Sequence, residues 1–453
     1  MAREVLLTKN YPKSFTYSSF YSLIGGKKSL ITSEGEAWHQ LRQIFNPGFH
    51  YQYLKSLVPV FTSNTDRLLR ILERKSVSQE VVPMHLLLTK LTLGIICEVV
   101  LGEPFEVLKE EGPEHSLYSS YMELMNIVVW YLNSPGIEWT RDYLPWNAYR
   151  MWRLEKKYTA SMIWIIKKRL AESKGTPEVS KSKMLKALIP KPAGGSMEEE
   201  GGPACITAYQ QPSGEGVVQK TQMSSPHSSD ACILSLALKT AKEKGVQMDL
   251  DTVLAQVKSF LFAGHDTTAS TVAWAVYELS CNKVIEDKMV EEIRQVCGGA
   301  VPTADDLSKL TYVGCVVKET LRMWPPAGTT RIAPKGSTLK GYDIGGHPLY
   351  IPHYCLHRDP QLWGEDADIF RPERWLDEIK IGQVDAYAYQ PFSKGPRDCI
   401  GQTFAVLEAK TLLAMMYSKF SFQYAGSVPE RQTFQITSHP LNGAPMRVIK
   451  RTQ

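Results

Sequence analysis

The chain has no C-x-x-C pair; its eight cysteines (Cys97, Cys205, Cys232, Cys281, Cys297, Cys315, Cys355 and Cys399) are scattered. That pattern excludes a zinc-ribbon spacing and a dense disulfide framework, and it reads as a reducing compartment, with no signal-peptide pattern ahead of it. No G-x-G-x-x-G occurs either, because Gly25-Gly26 and Gly298-Gly299 lack the further glycine, so no nicotinamide or flavin site of that kind is expected. No uninterrupted apolar run reaches the roughly 18 to 20 residues that span a bilayer. The longest, 91–101, carries Glu98 and is read as a buried helix. Neither sign of charge dominates, with 52 basic against 47 acidic residues and a net charge of +5. Without a dense basic stripe interleaved with aromatics, nucleic acid is not an expected partner.

What is present suits one large core. Of the 453 residues, 43% are hydrophobic, and 1–453 is read as a single catalytic unit. Helical periodicity runs through 2–9, 54–72, 84–101, 117–132 and 149–171, and a long proline-free helix is expected over 249–281. Short alternating strands are expected between 330 and 351. The segment 190–230 is different: rich in Gly, Pro, Ser and Gln, with Glu198-Glu199-Glu200 and no periodicity, it is expected to be a disordered surface insert.

The chain's most informative stretch is Phe392-Ser393-Lys394-Gly395-Pro396-Arg397-Asp398-Cys399-Ile400-Gly401. Two glycines and a proline force a tight loop, and helix periodicity begins immediately after it, so Cys399 stands near a helix N-terminus. Unpaired backbone N–H groups there stabilise a thiolate, and Arg397 adds a cation. Gly401, without a side chain, lets a flat ligand approach. Elsewhere, Trp38 and Arg42 share one helix face and could hold a carboxylate. Inside the long helix, a mid-helix Thr267 can turn its hydroxyl back to Ala263 while Gly264 removes bulk, opening a groove beside Asp266. Glu319 and Arg322 meet at i, i+3 on a helix that Pro325-Pro326 ends. Alone, each of these patterns is commonplace.

Together, in this order, they resemble the cytochrome P450 monooxygenases: F-x-x-G-x-R-x-C-x-G is matched at every fixed position. The resemblance runs from about Ala2 to the C-terminus apart from 190–230. It implies a mainly α fold with a small β-rich region (α+β) around haem b (iron protoporphyrin IX). By that resemblance Cys399 is the axial iron ligand and Phe392 packs beside the sulfur. Arg397, Trp38, Arg42 and Arg331 would meet the haem propionates. Asp266 and Thr267 would relay protons to dioxygen. Glu319, Arg322 and Arg374, from Pro372-Glu373-Arg374-Trp375, would interlock beneath the haem, so Glu319→Ala should abolish haem incorporation. Ala263, Gly264, Ala327, Gly328, Thr329 and Thr330, with His265, would face substrate. Part of 118–143 would cover that pocket and 437–443 would form a hairpin tip entering it. His357, in His357-Arg358-Asp359-Pro360, is read as structural.

The resemblance also implies an apolar small-molecule substrate and electrons from an NADPH-dependent P450 reductase, with cytochrome b5 as a second donor. Docking is expected on the Cys399 side, near Lys394 and Lys410. The wording of the G-H-D-T-T, H-R-D-P and P-E-R-W segments is most like fungal members acting on polyketide, terpenoid or fatty-acyl compounds. The chain starts where such enzymes have their B helix, so an N-terminal truncation is expected. In that reading the full-length form sits on the cytosolic face of the endoplasmic reticulum membrane. A haem-thiolate isomerase or dehydratase, a non-catalytic remnant and a gas sensor are the other readings. The acid–Thr pair argues against the first.

Overall fold

A computed structural model describes residues 1–14, 17, 21–109, 114–133, 145–174 and 232–452. The expected insert at 190–230 and residues 134–143 of the expected pocket cover lie outside the described residues. Ten long helices carry the described architecture. They are α1 (Gly35–Phe45), α2 (Val58–Ser78), α3 (Met84–Leu101), α4 (Ser116–Asn133), α5 (Pro145–Lys174), α6 (Ile233–Glu243), α7 (Leu250–Cys281), α8 (Lys283–Cys297), α9 (Thr311–Met323) and α10 (Gln402–Lys419). The periodic stretches of the sequence thus appear as helices within a few residues of their expected bounds.

α7 is the axis of the fold. Asp249 starts it by accepting the Thr252 N–H at 2.7 Å, and its 32 proline-free residues extend for about 48 Å. It is apolar all round because it is wrapped, by α3 along one flank and by α9, α10 and the strands along the others. α3 has a mean hydropathy of 1.8, so by length and composition alone it could cross a membrane, yet 72% of it is buried inside the protein. Its Glu98 is met by the Asn64 side-chain amide at 2.9 Å, which satisfies the carboxylate within the core.

Among the described residues, four small antiparallel sheets stand beside the helices. β1 (Val81–Pro83), β9 (Pro445–Lys450) and β6 (Phe420–Tyr424) pair in that order. β2 (Thr329–Ile332) pairs with β5 (Pro348–Ile351), β3 (Thr338–Leu339) with β4 (Tyr342–Asp343), and β7 (Gln432–Phe434) with β8 (Ser438–Pro440). On its other edge, β2 receives one bridge, from Lys13 to Arg331, and the Ile332 N–H donates to the Pro12 carbonyl at 2.9 Å. β2 is thereby fixed at the rim of the cavity between α7 and the loop before α10.

Candidate active site

The cysteine loop is folded by backbone geometry. Ser393 and Gly395 adopt left-handed φ of 62° and 82°. The Cys399 N–H then donates to the Phe392 carbonyl at 2.9 Å, which closes the loop. Gly401 caps α10, and its N–H donates to the Cys399 sulfur. A Cβ added at Gly401 would meet nothing but that sulfur, at 3.8 Å, so the space above the thiol is free for a flat ligand.

Cys399 opens into a cavity of about 280 Å³ that is walled across from it by Ala263, Gly264 and Thr267 of α7. Phe392 and Phe404 flank the sulfur, while Ile96, Phe49 and Phe260 make the far side apolar. The thiol is accessible, but to this interior space. Burial therefore pushes its pKa up, against the Gly401 N–H and the Arg42 and Lys13 cations, which pull it down. The free thiol is protonated at neutral pH, and a thiolate there needs a metal cation at the sulfur. Arg397, expected from the sequence to act on the thiol, turns instead to Glu34 at 3.0 Å and lies over the Trp38 ring at 4.5 Å.

Around the wall residues Lys13 and Arg397 the side chains suit a dianion. Arg331 is fully buried; its Nη1 donates to the Thr330 carbonyl at 3.0 Å, but its Nε and Nη2 have no protein partner. Two orphaned guanidinium donors cost free energy unless an acceptor arrives, and a carboxylate fits their fork. Arg397, its pKa lowered to about 10 by burial, stands close by, and Lys13 and Tyr17 complete the wall. A planar group with two carboxylates and a central metal fits these residues. Arg42 is committed elsewhere: its two terminal nitrogens donate to the carbonyl and carboxylate of Asp398, at 2.8 and 2.9 Å.

In α7, Thr267 Oγ1 donates to the Ala263 carbonyl at 2.8 Å, the back-bond expected from its position, and Thr267 faces the cavity. Asp266 is buried on the other side and hydrogen-bonds Thr437. Two expectations for the pocket need correction. Thr330 is on the opposite strand face from Thr329 and Arg331; it hydrogen-bonds Tyr17 and is not among the walls. His265 is fully buried behind α7, its Nδ1 on the Leu261 carbonyl and its ring against Tyr121, so it cannot face the cavity. The hairpin also differs from expectation. Residues 435–437 form its turn, and Thr437 and Ser438 contact Asp266 and Ser270 behind α7; none of 437–443 lines the cavity.

Beneath the site, the Glu319 carboxylate accepts from Arg322 at 2.8 and 2.9 Å and from Arg374 at 2.9 Å, all three side chains being buried. The Trp375 indole and the Arg371 N–H add bonds of 2.9 Å each. His357 accepts the Gln390 N–H at Nε2, which places its proton on Nδ1, facing the Arg322 carbonyl at 3.2 Å. Burial lowers its pKa to about 3, so it is a neutral spacer. On the outer side of the cysteine loop lies a concavity of about 490 Å³ with Lys318 and Lys394 on its rim. Lys410 lines the same concavity, where its ammonium also donates to the Leu307 carbonyl.

Sequence reasoning missed Lys13, Tyr17, Asp398 and Thr437. The first two fall between the periodic segments 2–9 and 54–72, and only Asp398, beside the cysteine, and Thr437, in the expected hairpin tip, carried a positional signal. The cytochrome P450 family model matches residues 1–444. Cytochrome P450 4V2 of Rattus norvegicus is 32% identical over 92% of this chain and 72% of its own length. The human protein of that name is 31% identical over the same shares. Secologanin synthase 1 of Catharanthus roseus is 29% identical over 91% of this chain and 70% of its own length.

Proposed function

The chain belongs to the cytochrome P450 family, whose members bind haem b through a cysteine thiolate, and from that premise we propose that it inserts one atom of dioxygen into an apolar organic substrate. The observation that carries the reading is the opening of Cys399 into an apolar cavity walled in part by Lys13, Tyr17 and Arg397, with the orphaned donors of buried Arg331 next to Lys13 and Arg397. Cys399 would hold the haem iron through its sulfur, and Phe392 would shield that sulfur from water. Arg331, Arg397 and Trp38 bind the propionates, with Lys13 beside them. Arg42 acts through Asp398, holding the cysteine loop in place.

Bound haem supplies dioxygen activation and oxygen transfer to a C–H or C=C bond. The residues of α7 handle protons: Asp266 holds one at its carboxylate and passes it to the Thr267 hydroxyl, which delivers it into the cavity. Ala263, Gly264, Ala327, Gly328 and Thr329 aim the substrate, and the aromatic and aliphatic far wall excludes water. Electrons come from a separate NADPH-dependent reductase, with cytochrome b5 as a further donor. Lys318 and Lys394 offer that partner positive charge beside the cysteine loop. The substrate class is polyketide, terpenoid or fatty-acyl. The likeness to fungal members rests on segment wording alone, and the relatives named above are from animals and a plant. The working form sits at the endoplasmic reticulum membrane.

The test is turnover under ¹⁸O₂ with reductase, NADPH and a panel of such compounds that includes lauric acid. One ¹⁸O atom per product molecule supports the reading. Product formed without dioxygen would move the protein to the isomerases and dehydratases.

A further inference from the structure

Behind α7, on the side away from the cavity, four polar side chains gather around Asp266. His265 comes from α7 itself, His85 from the first turn of α3, and Thr437 and His439 from the β7–β8 hairpin. The His85 and His439 rings are stacked, 5.0 Å between centroids and 2° from parallel. Three ring nitrogens of this group, His85 Nε2, His265 Nε2 and His439 Nδ1, are buried without a protein partner, as is the Tyr121 hydroxyl. Buried polar atoms left over in this number mark a place for bridging water. His85 and His439 are half-buried and reach toward solvent, whereas Asp266 is buried and next in sequence to Thr267, which faces the cavity.

Resting on the monooxygenase reading above, we propose that the stacked pair His85 and His439 is the outer limb of the route that carries solvent protons to Asp266, with Thr437 as the residue that holds the Asp266 carboxylate in line. A neutral imidazole takes a proton at one ring nitrogen and releases one from the other, which leaves the opposite tautomer, and proton exchange with water or a ring flip resets it before the next passage. The proton crosses bridging water to the Asp266 carboxylate, which gives it up toward Thr267. No electrons move in this limb, and two such passages supply the two protons needed to release the second oxygen of O₂ as water.

The surroundings support shuttling. Besides each other, the ionisable groups acting on the pair are Asp266 and His265 on α7; Tyr118 and Tyr121 on α4 act on Asp266, with Lys90 and Glu114 paired at 2.8 Å beside Tyr118. Burial pushes the His85 pKa down to about 4 and that of His439 in the same direction, each against the Asp266 charge, so both rings are neutral near pH 7. Neutral rings can both accept and donate.

The experiment uses the full-length holoprotein with histidine labelled at ¹³Cε1, as its reduced carbon monoxide complex. The resonances of His85 and His439 are identified by their loss in His85→Gln and His439→Phe. Asp266→Asn should lower both titration midpoints, because the carboxylate favours the charged rings. In parallel, His439→Phe and Thr437→Val are assayed with reductase, NADPH and lauric acid. Their carbon monoxide band should match wild type and NADPH consumption should hold. Product per NADPH should fall about tenfold, with hydrogen peroxide making up the difference. Midpoints indifferent to Asp266→Asn, or product per NADPH equal to wild type, would overturn the relay. If the wild-type chain oxidises no lauric acid, the titration alone decides. A wild-type chain without a thiolate-type band refutes the monooxygenase reading instead, a separate result.

Discussion

Arg331 shows best how a single residue reports on what it binds. A guanidinium with no exposure and two unpaired donors is an unfavourable thing to fold around, and the structure tolerates it where a carboxylate is due. Arg331→Leu should fold, since it removes a buried charge, yet lose haem faster. A hydrogen bond to a charged group is worth about 1.5–3 kcal/mol, so haem transfer to apomyoglobin should quicken by about ten- to a hundredfold. An unchanged rate would remove Arg331 from the propionate site. The sequence showed Arg331 as a candidate through its motif, but its vacancy was visible only in three dimensions. Lys13 had no motif at all and Thr437 only a place in the expected hairpin tip; their positions come from a bridge to β2 and from a hairpin turn shifted toward α7.

Between elements, the site depends on two joints. In the first, Glu319 ties α9 to the Pro372–Trp375 turn through buried Arg322 and Arg374. Glu319→Ala strands two guanidinium groups in the core, a loss of about 3–5 kcal/mol, so purified protein should contain no haem by pyridine haemochrome assay. The second joint packs the cysteine loop on the N-terminal helical turn, Glu4–Thr8. Gly395 has a φ of 82°, and an added Cβ would stand 2.3 Å from the Leu6 carbonyl oxygen. Gly395→Ala should therefore displace the loop and reduce haem content more than the conservative change suggests. Both joints were partly legible: E-x-x-R and F-x-x-G-x-R-x-C-x-G stood in the sequence. What the sequence could not show was the partner of each motif, Trp375 and Arg371 for the carboxylate or Leu6 for the glycine, because those contacts close over long separations. Helix periods were readable because they are local. His265 was misplaced because a helix position fixes a face only relative to its neighbours.

At the scale of the whole molecule, buried charge makes stability depend on pH. Glu278, in the second half of α7, accepts from the Trp324 indole at 2.7 Å, but burial raises its pKa to about 7 from an ordinary 4.5. Between those values the folded chain holds a proton that the unfolded chain has released. Its contribution to stability therefore declines as pH rises through that window, by about 3 kcal/mol once fully ionised. Glu278→Gln should melt above the wild type at pH 8, and the gap should close near pH 5, in paired calorimetric scans. A gap independent of pH would mean that Glu278 is already charged in the folded state at pH 5.

Every functional role assigned above depends on Cys399 as a thiolate ligand in the cavity below α7. The absorption spectrum of the reduced, expressed chain exposed to carbon monoxide tests that directly. A strongly red-shifted Soret band, lost in Cys399→Ala, is the predicted result. A band of the histidine- or thiol-ligated kind, or no haem at all, would contradict it.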